Sequence, residues 1–184
     1  HSQEIGSFDF HQPKLSKHLW LYEGTTEYFT IHMPIYQHLT IEPDFAKTVE
    51  RKIATMNKFN DTIPFTTLSK NVLDYSDEYM NVYAKGALIN LCLDILIREN
   101  TVGEKGLVDL ILDLQKIYGK HKPFQDDQLF NDINDWAKSA EIKQFIELHI
   151  NGKMPLPLKN ILLKVGWEYD EKIQSIQIID QPSI

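Results

Sequence analysis

The chain has 184 residues, 42% hydrophobic and 24% charged, which suits one globular domain or one domain plus a small appendage and excludes a disordered chain. A net charge of −7 with no visible cluster of Lys and Arg argues against nucleic acid as a partner, because phosphate binding needs clustered cations. The one cysteine, Cys92, excludes an internal disulfide and a cysteine-based zinc cluster.

Residues 1–10 are polar and acidic and do not read as a secretory signal. Residues 1–14 read as irregular, with Pro13 near the end. Ser16 is placed to cap a helix from about Lys17 that carries Trp20, Glu23, Glu27 and Ile31. Pro34 should end or kink it, since proline disfavours helical geometry in the residue before it. A second helix fits residues 42–59, with Pro43 in the first turn and Phe45, Val49 and Ile53 at helical spacing. Residues 61–69, with Pro64 and several threonines, read as a loop.

Residues 76–98 form the strongest helical pattern. Tyr79, Val82, Gly86, Ile89, Leu93 and Leu96 recur with helical period, and other apolar residues widen the stripe, which implies a central, buried helix. Its apolar stretch, 84–97, is broken by Lys85, Asn90 and Asp94 and falls short of the roughly 20 apolar residues of a membrane span. Residues 101–105 read as a turn. Leu107, Leu110, Ile111, Leu114 and Ile117 define a fourth helix, with Gly119 as its C-cap. Two shorter helices follow, 126–137 and 140–150, with Asp126 and Asp127 at the first N-terminus, where negative charge is favourable. Pro155 and Pro157 introduce a last helix, 158–165, closed by Gly166. Residues 167–179, rich in isoleucine and aromatics, fit one or two strands. The expected fold is mainly α with a small β segment at the C-terminus.

Two short patterns carry chemistry. In Trp20-Leu21-Tyr22-Glu23-Gly24-Thr25-Thr26-Glu27-Tyr28, the two glutamates lie four apart and share one helix face. On spacing alone they read as solvated surface carboxylates. A divalent metal with histidine ligands would relieve their repulsion: Glu23 could ligate it, and Glu27 could accept the ring N–H of a ligand histidine. In Tyr83-Ala84-Lys85-Gly86-Ala87, a glycine inside a strong helix suggests close backbone approach by a neighbour. Tyr83 alone reads as a core tyrosine with its hydroxyl at the surface; facing a cleft, its phenol could donate to a developing oxyanion. His18 reads as structural or exposed, Cys92 as buried and inert, and Arg98 as an ordinary cation near a helix C-terminus.

Together the patterns resemble the gluzincin zinc aminopeptidases, whose third zinc ligand lies in a W-x-x-E-G-x-x-x-Y-type helix and whose transition-state tyrosine lies in a later Y-x-K-G-A helix. The chain is most similar to the glycyl aminopeptidase family, whose members often carry a PDZ domain. The stretch from Leu19 to Tyr28, the helix ending Leu96-Ile97-Arg98 and the segment Gly152-Lys153-Met154-Pro155-Leu156-Pro157 all resemble it. The resemblance implies Glu23 as zinc ligand, Glu27 as support for a ligand histidine, and Tyr83 as oxyanion stabiliser. It implies residues 1–166 as the helical C-terminal lobe of a thermolysin-like catalytic domain, and 167–184 as a linker or the start of a following β-rich, PDZ-like domain.

One departure is large. The family takes two histidine ligands and its general-base glutamate from an upstream H-E-x-x-H helix, and none of His1, His11, His18, His32, His38, His121 and His149 begins that motif. The resemblance then implies a parent chain beginning well before His1, and inactivity of this chain alone. The implied partners are a peptide with a small N-terminal residue, glycine or alanine, and the N-terminal half of the catalytic domain. The cleft wall around Trp20, Glu23 and Glu27 is expected to expose apolar surface, through which two copies could pair. The competing reading is a non-catalytic helical interaction module that kept the peptidase fold.

Overall fold

In the computed structural model, residues 1–6, 9, 11, 13–119 and 121–179 are described. Residues 7, 8, 10 and 12 of the expected irregular N-terminus and 180–184 of the expected linker lie outside them. The described residues are mainly helical and end in a two-stranded antiparallel sheet.

The first fourteen residues are not wholly irregular. Ser2 forms a β-bridge with Phe124, and a short helix α1 spans Gln3–Gly6. The next helix opens as a π-helical turn, Trp20–Gly24, which runs directly into α2, Thr25–Tyr36. Pro34 lies inside α2 and does not end it at the preceding residue. Ser16 caps no helix: its Oγ donates to Asp126 Oδ1 at 2.9 Å and accepts from the His18 amide at 3.1 Å. Helix α3, Glu42–Met56, begins with Pro43 in its first turn, where a missing N–H costs nothing.

The expected loop at 61–69 contains a helix, α4, Phe65–Lys70, with Pro64 at its N-cap. Proline fixes the entry geometry there and obstructs nothing downstream. A 3₁₀ turn, Ser76–Glu78, leads to the central helix α5, Asn81–Asn100. Helix α6, Leu107–Ile117, is capped by Tyr118, while Gly119 forms an isolated bridge with Lys122. Helix α7 spans Leu129–Ala137, and α8, Ala140–Phe145, continues as a π turn through Ile150. Asp126 and Asp127 therefore lie before α7. Asp126 receives the Ser16 hydroxyl and the Lys17 amide, so its role is to fasten the segment entering the π turn.

Helix α9, Leu158–Leu163, is followed by a turn at Lys164 to Gly166, whose φ of 77° favours a residue without Cβ. Strands β1, Trp167–Asp170, and β2, Ser175–Ile178, pair with Trp167 opposite Ile178. This hairpin packs on α9 and α3: Trp167 is buried against Phe45, and its indole N–H donates to Glu42 Oε1 at 2.6 Å.

Helix α5 is the axis of the fold. The π turn, α2, α3, α4, α6, α8 and α9 all pack on it. A helix enclosed on every side is apolar all round, and the three polar interruptions between Ala84 and Ile97 each find partners. Lys85 forms an ion pair with Asp61. Asn90 bonds to Thr25, Trp20 and Gly86. Asp94 accepts from the Tyr28 hydroxyl at 2.8 Å, Arg98 Nε at 3.0 Å and the Leu107 amide at 2.6 Å. Asp94 thus ties α2 and α6 to α5. No described helix is long and apolar enough to cross a membrane.

Candidate functional site

From Asn81 to Ile97 every residue of α5 is buried except Tyr83. A half-exposed tyrosine on an otherwise enclosed helix marks the opening in the packing. The π turn crosses α5 at this level. A Cβ built on Gly24 would lie 2.7 Å from the Gly86 carbonyl carbon, and one on Gly86 would lie 2.8 Å from Gly24 Cα. The two glycines of the two motifs therefore let the backbones touch, which brings the turn that carries Glu23 against the helix that carries Tyr83, three residues before Gly86.

Electrostatics agree with this placement. The Tyr83 phenol is pushed up to about 12, first by its hydrogen bond to Tyr79, then by partial burial and by the charges of Glu23 and Glu27. The Tyr79 and Tyr83 hydroxyls are 3.0 Å apart, with the rings edge to face. Tyr83 accordingly stays a protonated donor throughout the neutral range.

The two glutamates differ in their company. Glu27 forms an ion pair with Lys52 of α3, which offsets the like-charge repulsion along α2. Glu23 is half-buried and has no hydrogen bond or ion pair among the described residues. No cluster of three or more His, Cys, Asp and Glu placed to hold a metal ion occurs among them either. The residues present therefore offer one carboxylate toward a zinc ion and do not by themselves hold it.

Trp20 is not part of an exposed wall, as the sequence suggested; it is fully buried. Its indole stacks on Phe130, with centroids 6.1 Å apart, and donates to His18 Nδ1 at 3.1 Å. An indole N–H can only donate, so Nδ1 accepts and the other ring nitrogen, Nε2, donates to the Asp126 carbonyl at 2.8 Å. Burial holds this imidazole below its ordinary value against the opposing Asp126 carbonyl bond. His18 is a structural residue, neutral and fixed in one tautomer. Cys92 is fully buried, which pushes its thiol up and leaves it unreactive. Apolar side chains do lie exposed elsewhere, Tyr79 and Met80 beside Tyr83 and Met33 and Tyr36 on α2.

Sequence reasoning missed Lys52, Tyr79 and Asn90. Lys52 and Asn90 act across long sequence separations, which periodicity does not report. Tyr79 stands one helical turn before Tyr83, and that spacing was the available signal.

A family model described as M61 glycyl aminopeptidase matches residues 1–89, a span that includes both motifs. No curated protein matches the chain. Among solved structures, the chain is similar to the crystal structure of an aminopeptidase N family protein from Idiomarina loihiensis, with a TM-score of 0.80 and 22% identity. That match covers 91% of this chain and 30% of the other, so the chain spans less than a third of that protein's length. Residues 1–89 are thus similar to the M61 glycyl aminopeptidase family, and the helical body shares its fold with that aminopeptidase N family protein.

Proposed function

We propose that the chain forms the helical wall of the active site of a zinc aminopeptidase, with Glu23 as a metal ligand, Glu27 supporting a ligand histidine, and Tyr83 as the oxyanion donor. The observation that carries this reading is the proximity of Tyr83 to both glutamates. Tyr83 is the one residue of α5 between Asn81 and Ile97 that is not buried, and it feels the charges of both glutamates. Zinc, when bound, would polarise the scissile carbonyl and activate water.

The chain's own residues do the rest. The unpaired Glu23 carboxylate is free to bind a cation. Glu27 can exchange Lys52 for the ring N–H of an incoming histidine at the cost of an ion pair worth about 0.2–1 kcal/mol. The raised Tyr83 phenol holds its proton at neutral pH and donates it in a hydrogen bond to charge developing on the substrate oxygen, an interaction worth on the order of 3 kcal/mol in enzymes that use one. Substrates with a small N-terminal residue, glycine or alanine, follow from the family likeness. The remaining zinc ligands and the general base belong to a segment outside these 184 residues, and the chain alone is inactive.

Zinc binding and peptide hydrolysis by the isolated chain test this. Weak zinc binding and no hydrolysis are expected. Stoichiometric zinc retained through dialysis against a mild chelator would contradict the assignment of a single ligand.

A further inference from the structure

Asn90 is the polar residue that the catalytic reading leaves unused. It is fully buried near the middle of α5. Its Oδ1 accepts from the Thr25 hydroxyl at 2.9 Å. Its Nδ2 donates to the Trp20 carbonyl at 2.7 Å and to the Gly86 carbonyl at 2.8 Å. Both amide N–H donors and the carbonyl oxygen of the side chain are engaged. A buried amide with all three roles filled is costly to replace, since each orphaned partner would keep its desolvation penalty.

The partners bracket the site. Trp20 opens the π turn that contains Glu23, and Thr25 is the first residue of α2 beyond it. Gly86 lies three residues after Tyr83. A π turn closes its hydrogen bonds one residue later than an α turn, so reverting to α geometry would rotate the preceding residues by about 100° relative to α2. Such turns are rare and recur at functional sites. Here one side chain holds the two ends of the turn, Trp20 and Thr25, to the helix that carries Tyr83.

We propose that Asn90 is a positioning residue: by binding the Trp20 carbonyl and the Thr25 hydroxyl to α5, it keeps the Glu23 segment in π register and so holds the Glu23 carboxylate near Tyr83. The inference rests on the peptidase reading for its catalytic purpose, but on the hydrogen bonds alone for its geometry.

The test is ¹⁹F NMR of the chain with 3-fluorotyrosine at position 83. Glu23→Gln should shift that resonance, and the size of the shift reports how the carboxylate faces the ring. In an Asn90→Ala background the shift should shrink by at least half. Thr25→Val, which removes one partner and keeps the side-chain shape, should shrink it by a smaller amount and serves if Asn90→Ala fails to fold. Ile133→Ala in α7, a buried site on another helix, should lower Tm and leave the shift whole. A full Glu23→Gln shift in folded Asn90→Ala or Thr25→Val chains overturns the proposal, and so does an equal loss in Ile133→Ala. Full peptidase activity of Glu23→Gln in the full-length protein would instead sink the catalytic reading and leave the NMR result standing.

Discussion

Gly24 and Gly86 meet backbone to backbone, so closely that a Cβ on either would fall 2.7–2.8 Å from the other's main chain. This contact fixes the separation between the strand of chemistry on the π turn and that on α5. Alanine gains about 1 kcal/mol of helix propensity over glycine. Against a backbone neighbour that cannot turn aside, overpacking costs about 1–3 kcal/mol. Gly86→Ala should therefore lower stability by up to about 2 kcal/mol, read as a lower urea midpoint. An unchanged or raised midpoint would mean that the helices part easily.

Asp94 predicts a larger effect. Tyr28→Phe removes one hydrogen bond to a buried carboxylate and should cost about 1.5–3 kcal/mol. Asp94→Asn should cost more, because its single oxygen can stay with the Leu107 amide only by setting an NH2 group against both the Tyr28 hydroxyl and Arg98 Nε. Equal losses in the two variants would show that Asp94 serves Tyr28 alone.

Acid should weaken the fold through two imidazoles, the buried His18 and the partly buried His32. Burial lowers both His18 and His32 from the ordinary 6.5. The unfolded chain then binds protons that the folded chain refuses. Their contribution is complete above about pH 6.5 and is lost as pH falls through the lower folded values. The urea midpoint should drop between about pH 7.5 and pH 5.5, and should drop less in His18→Gln, which keeps a donor for the Asp126 carbonyl. A midpoint independent of pH across that window would contradict the buried, neutral assignment.

The sequence made the regular parts legible for identifiable reasons. Pro43 followed by Phe45, Val49 and Ile53 states both the start and the buried face of α3. The apolar stripe of α5 is so wide that only a central position could enclose it. Glu23 and Tyr83 were paired in the sequence by the family resemblance of their two motifs, and the structure brings Gly24 and Gly86 of those motifs into contact. Other features depend on partners far away in the chain. Asp126 reads as a helix-start acid until Ser16, 110 residues earlier, is seen to bind it. Trp20 reads as a cleft residue until His18 and Phe130 enclose it. The π turn has no periodicity of its own, because five residues are too few to show one. Pro64 reads as a loop residue in sequence, yet proline before a first turn is equally a start signal.

The central claim is that Glu23 and Tyr83 serve one catalytic centre. Steady-state peptide hydrolysis by the full-length protein carrying Tyr83→Phe tests it most directly, with substrates bearing N-terminal glycine or alanine. The account predicts a fall in kcat of about 10²–10³ with KM little changed, because the phenol acts on charge that develops only in the transition state. A Tyr83→Phe enzyme with undiminished kcat would contradict it.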